Sequence, residues 1–144
     1  MLENFRSHCI ERQRIIVSSE RGCFHRAIND EKCLVRQFFI DGEVITNDSE
    51  KCDKLVLNDD KRDAYYIELK GSDIRKAINQ IANTEKILSD DLKGYTSFYR
   101  IIFKSGSHSI HTSEVLKWKE RCGKDYNTGK AKAVIHNKEY EECI

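Results

Sequence analysis

Apolar positions along this chain fall into short, β-prone runs separated by polar joints, and a helical period appears twice between them. Residues 14–18, with Ile15, Ile16 and Val17, read as a strand. Residues 33–40, rich in Leu, Val, Phe and Ile, read as the first core strand, ending at the turn signal Asp41-Gly42. Glu43-Val44-Ile45 either extends that strand or returns along it. Leu55-Val56-Leu57 and Tyr65-Tyr66-Ile67 flank an Asn/Asp-rich joint, the pattern of an antiparallel hairpin. Ile74, Ala77, Ile78, Ile81, Ala82 and Leu88 then recur at near-helical spacing, predicting a helix from Asp73 to about Leu88 with Ser72 or Asp73 as its cap. Residues 97–103 form the next strand. A second helix, capped by Thr112 or Ser113, runs to Arg121 with Val115, Leu116 and Trp118 as its apolar positions. Residues 131–136 are expected to be the last strand and 139–144 an acidic end. Residues 2–13 form either a short helix or a frayed segment, since Leu2, Phe5, Cys9 and Ile10 share a stripe.

The hairpin is where candidate chemistry gathers. With its turn centred between Asp60 and Lys61, Asp53 falls opposite Glu68. Side chains alternate along a strand, so Glu68 and Lys70 share the side of Asp53, while Ile67 and Leu69 point into the core. Two carboxylates a strand spacing apart can hold a hard divalent cation. Such a cation can activate water and polarise a phosphoryl oxygen, and a nearby ammonium can stabilise the charge that develops. The alternative is an ordinary exposed hairpin with a cross-strand salt bridge.

An Asp followed 15 residues later by Glu-x-Lys, on strand, strand, helix and strand in that order, resembles the PD-(D/E)xK nuclease superfamily over roughly residues 34–103. Cys52 stands where that motif's variable proline would be. The resemblance implies an α/β (α+β) fold with a restriction-endonuclease-like core, a central mixed sheet carrying the site on its hairpin and flanked by helices. It implies Asp53 and Glu68 as metal-binding acids, the Leu69 carbonyl as a further ligand, Lys70 as the catalytic lysine, and Mg²⁺ or Mn²⁺ as cofactor. Gln80, on the first helix, is an accessory candidate, and Glu11 and Glu20 are candidates for an additional acid. The implied activity is metal-dependent phosphodiester hydrolysis of endonuclease type, on DNA before RNA, by a homodimer of the resolvase-like or bacterial and phage defence kind. Replacing Asp53 by Ala is then expected to abolish cutting and leave the fold intact.

Composition narrows the partners. Across 144 residues the formal net charge is +1, so any nucleic-acid site must be a local patch. One exists in sequence: between Arg100 and Lys138 nine Lys/Arg face three acids, and Lys117, Lys119, Arg121 and Lys124 are the candidate phosphate contacts. No apolar run is long enough to span a bilayer and the first twenty residues lack a signal-peptide core, so a cytoplasmic single-domain protein spanning 1–144 is expected, with no membrane partner. The six cysteines match no zinc module and are expected to be reduced thiols. Two further readings stay open. One is a non-catalytic nucleic-acid-binding or regulatory subunit, working with a partner protein in a larger complex. The other is a metal-independent ribonuclease using His108 or His111.

Overall fold

The computed structural model describes residues 1–104 and 112–144, with Lys70 and Gly71 described through their backbone alone. His108 and His111 lie outside the described residues. The elements run β1 (Ile15–Glu20), β2 (Cys23–Ile28), β3 (Val35–Phe39), β4 (Lys54–Asn58), β5 (Asp63–Gly71), α1 (Ile74–Ile87), β6 (Thr96–Phe103), α2 (Ser113–Cys122), β7 (Ala133–Asn137) and β8 (Glu139–Cys143). They build a mixed α+β fold with a five-stranded sheet, β3-β4-β5-β6-β7, and a three-stranded sheet, β1-β2-β8.

The hairpin forms in the expected register, with Lys54 opposite Ile67 and Asn58 opposite Asp63. Its turn is held by the Asn58 side chain, whose Oδ1 accepts from the Lys61 amide at 3.0 Å. From β5 the chain crosses through α1 into β6, parallel to β5, and through α2 into β7, parallel to β6. Asp73 caps α1 by accepting from the Lys76 amide, and Thr112 caps α2 by accepting from Val115.

β5 is the middle strand, and the main sheet is buried on both faces. Leu55, Leu57, Tyr66 and Ile101 pack beneath Ile74, Ala77 and Ile81 of α1 and Val115 of α2. Val56, Tyr65, Ile67, Leu69 and Phe98 face Ile16, Cys23 and Ala27 of the small sheet. Burial on both sides explains why β4 and β5 read as continuous apolar runs rather than alternating ones. The expectation of helices flanking the sheet is therefore corrected: both helices cover one face, and the second sheet covers the other.

That second sheet accounts for most of what sequence reasoning missed. The β1–β2 hairpin closes on Arg21 and Gly22, with φ of 46° and 84°, the left-handed pair that suits a tight hairpin turn. β2 alternates Cys23, His25 and Ala27 inward, but the buried histidine hides that alternation from a hydropathy reading. The expected last strand is followed by another. At Lys138, φ 58°, the chain leaves one sheet for the other: its amide donates to Phe103 O, and its carbonyl accepts from the Phe24 amide. The acidic end thus becomes β8, parallel to β2. Residues 2–13 hold only a short 3-10 turn at Leu2–Asn4, and the segment after Asp41 returns no further than one bridge to Ile45.

β8 carries an acid into the interior because a base meets it there. Arg100 and His25 are fully buried, and Arg100 donates twice to Glu142, at 2.7 and 2.9 Å. The His25 Nε2 lies 2.7 Å from the same carboxylate, and Lys130 Nζ is 3.8 Å away. Burial alone would raise the Glu142 pKa, but the hydrogen bonds from His25 and Arg100 and the charge of Arg100 outweigh it and hold it at about 2. An unfolded glutamate titrates near 4.5, so the contribution of Glu142 is complete above that pH, declines as pH falls below it, and is gone beneath about 2. Glu142→Ala leaves Arg100 buried without its partner and should cost about 3–5 kcal/mol in urea unfolding at pH 7. The deficit should shrink on acidification towards pH 2, and a deficit independent of pH would refute this linkage.

Candidate active site at the open end of the hairpin

Asp53 sits where three strands meet. Its carbonyl accepts from the Ile40 amide at 2.9 Å, just beyond β3, and its own amide donates to Ile67 O at 3.1 Å. Ile67 is also the partner of Lys54, so the ladder slips by one residue there, as in a β-bulge. The strict pairing of Asp53 with Glu68 expected from the turn is corrected accordingly. The slip aims the Asp53 carboxylate along the sheet, where Oδ2 accepts from the Leu69 amide at 2.8 Å. A side chain here replaces the backbone acceptor that a longer β4 would have supplied.

Glu68 precedes that amide on β5, on the α1-facing side with Tyr66, and both acids are only 4% exposed. The hairpin is not the exposed, solvated one of the alternative reading. Cys52, the residue before Asp53, is fully buried and donates its amide to Thr84 of α1. Burial pushes the Cys52 thiol well above its ordinary pKa, a hydrogen bond with Thr84 opposes this, and the charges of Glu68 and Asp53 add to the rise. Lys70 follows on β5 at a second irregularity, since the β6 ladder passes from Leu69–Ile102 directly to Gly71–Phe103. The acids thus lie at the carboxyl end of the central parallel strand, the end where open α/β sheets receive ligands.

A cavity of about 290 Å³ lies near this end, lined by Asp41, Asp48, Glu50, Lys51, Lys76 and Gln80 but by neither Asp53 nor Glu68. Asp41 links it to the hairpin through the backbone, its amide 3.5 Å from the Asp53 carbonyl oxygen. Gln80 is half-buried on α1 and lines this cavity. Lys76 and Lys51 were not anticipated. Lys76 follows from the helical period, one turn before Gln80, but Lys51 is placed by a loop with no sequence signature.

The other expected residues are distributed differently. Glu20 contacts Lys54 Nζ at 3.5 Å on the opposite face of the sheet, beneath the small sheet. Glu11 lines a cavity with Arg36 and Asp59, at the turn end of the hairpin. Neither joins the acid pair. Lys117, Lys119, Arg121 and Lys124 are all exposed, but Lys117 and Arg121 line a cleft between α1 and α2, whereas Lys119 points about 200° away from Lys117 around the helix. Lys124 lies beyond the helix, in an isolated bridge with Ala131.

Carboxylate oxygens are hard donors, and any cation that this pair could hold would be of the Mg²⁺ or Mn²⁺ kind rather than a softer ion. Among the described residues no group of three or more His, Cys, Asp or Glu side chains is placed to hold a metal ion. Among the described residues no helix is long and apolar enough to cross a membrane. No protein-family model, curated protein or solved structure matches this chain.

The bond to Leu69 changes the expected outcome of mutating Asp53. Asp53→Ala strands a buried amide and should cost about 1–3 kcal/mol in a denaturant titration. Asp53→Asn keeps an acceptor oxygen and should unfold close to the native midpoint; equal loss in both variants would show that this bond is not the cause. Cys52, buried with a raised pKa, should resist iodoacetamide in the native protein while the exposed Cys143 reacts, a contrast that peptide mass spectrometry resolves. Rapid labelling of both would contradict the burial.

Proposed function

We propose that this chain is a metal-dependent nuclease of restriction-endonuclease-like architecture, hydrolysing phosphodiester bonds with Asp53, Glu68 and Lys70. The observation that carries the reading is the placing of Asp53 and Glu68 on neighbouring segments at the carboxyl end of β5, in a sheet that runs antiparallel through β3, β4 and β5 and then parallel into β6 across α1. The order of strands and helices agrees with it.

A bound Mg²⁺ or Mn²⁺ would supply an activated water and a charge opposite the phosphoryl oxygens. Asp53, fixed by the Leu69 amide through one oxygen, presents its carboxylate in a single orientation. Glu68 supplies the second carboxylate from the adjoining strand, and the Leu69 carbonyl is the third oxygen in reach by sequence. Lys70 is assigned to orienting the attacking water, and Gln80 and Lys76 to holding the substrate's phosphate in the cavity that they line. DNA is the expected substrate before RNA, and a homodimer the expected state for cutting two strands.

A second reading keeps the fold without the chemistry. The 2.8 Å bond from Leu69 to Asp53 favours it, because the same carboxylate would be retained for structure alone. The experiment that separates them is cleavage of plasmid, single strands, four-way junctions and RNA with Mg²⁺, Mn²⁺ or EDTA. Asp53→Asn and Glu68→Gln should each lower metal-dependent cutting by roughly a hundredfold or more, as expected when a metal's transition-state charge stabilisation is lost, while unfolding at native denaturant concentrations. Cutting that persists in EDTA, or in both variants, would sink the nuclease reading.

A further inference from the structure

The cleft between α1 and α2 is separate from the acid pair and larger than the cavity near it. It encloses about 310 Å³. Ile78, Val115 and the half-buried Trp118 form an apolar floor, and Arg75, Lys117 and Arg121 form a cationic rim. The Trp118 ring leans on Tyr99, 6.0 Å between centroids, so it is braced from behind. Glu114 neutralises Arg75 at 2.8 Å, but no described acid is within ion-pair reach of Lys117 or Arg121. An aromatic plane beside two such cations matches a flat base and its flanking phosphates.

Two further depressions follow the cleft around α1. The cleft's wall residue Asn79 borders a shallow channel of about 520 Å³ over the solvent face of α1, which passes Asn83 and Lys86. That channel shares Ser49 and Glu50 with the cavity beside Asp41 and Gln80. The three depressions follow α1 from Gln80 to Trp118, each sharing lining residues with the next. Lys76 shares the first with Asp41, Asp48 and Glu50, and Lys86 shares the second with Glu50, so the cationic excess lies at Lys117 and Arg121 in the cleft.

We propose that the cleft between α1 and α2 binds an unpaired nucleic-acid strand, one base seated on Trp118 and its phosphates on Lys117 and Arg121. The inference rests on the nuclease reading for its class of substrate and narrows that class to single-stranded segments. A duplex keeps its bases stacked and paired, so it offers the cleft no exposed face, whereas an unpaired strand offers one at every nucleotide. Stacking is tolerant of sequence, so binding is expected to depend on strandedness and not on base order.

Trp118 is the only tryptophan in the chain, which makes its fluorescence a direct report on the cleft. The test titrates the full chain in EDTA with dye-free single-stranded DNA, single-stranded RNA and duplex DNA of equal length. Expected is quenching of Trp118 by single strands and not by duplex, with the DNA and RNA arms naming the preferred sugar. Lys117→Glu with Arg121→Glu, both exposed, should weaken that binding roughly tenfold or more and reduce the salt slope by about 0.7 for every phosphate that is no longer neutralised. Equal quenching by duplex, binding without quenching, binding unchanged in the double variant, or no binding of any strand would each overturn the proposal. Quenching that survives while no metal-dependent cutting is found would refute the nuclease and leave this binding site standing.

Discussion

The buried ion cluster of Arg100, Glu142 and His25 is the constraint on which the arrangement of the two sheets depends. Arg100 comes from the main sheet, His25 and Glu142 from adjacent strands of the small one, and the three meet in the largely apolar layer between the sheets, which also holds the Gln37–Ser18 hydrogen bond. An apolar layer holds two sheets together without fixing how they are set against each other. A bidentate guanidinium–carboxylate contact, with further bonds from Arg100 to the Tyr99 and Lys132 carbonyls, admits one setting. Tyr65 and Phe98, stacked at 4.9 Å beside Arg100, carry that setting into the two central strands of the main sheet.

The site end of the sheet works under a different constraint. β4 begins only at Lys54, and the Leu69 amide would be orphaned if the Asp53 carboxylate did not reach it. One residue thus closes the sheet and presents an anion at the carboxyl end of β5. Of the two acids, each 4% exposed, Asp53 is held in place by the Leu69 amide. In the proposed nuclease, a divalent cation would give both carboxylates a further partner.

α1 links the site to the rest of the surface. Its buried side packs on the main sheet, its flank bearing Lys76 and Gln80 lines the cavity near the acids, and its opposite flank bearing Arg75 and Asn79 forms the cleft with α2. A helix with three differently used sides brings the proposed cutting site and the proposed strand-holding site onto one element. The physical basis is its periodicity: positions four apart stack, and positions two apart face opposite ways.

Much of this was legible in the chain itself. Leu55-Val56-Leu57, the Asn/Asp joint and Tyr65-Tyr66-Ile67 determined the hairpin and its register, and Asp73 and Thr112 marked both helix starts, because turn and cap chemistry is local. That register puts Asp53 and Glu68 at the same end of the hairpin, though the slip at Asp53 removes their strict pairing. Only the tertiary structure decided the rest. β2 and β8 carry their inward positions on His25 and Glu142, residues that read as surface until Arg100, far along the chain, makes their burial possible. The slip at Asp53 depends on where β3 ends, and the separation of Lys117 and Arg121 from Lys119 and Lys124 depends on which side of α2 meets α1. Local patterns fix elements, because their interactions lie within a few residues. Partners for buried charge and the walls of a groove come from segments that only folding brings together.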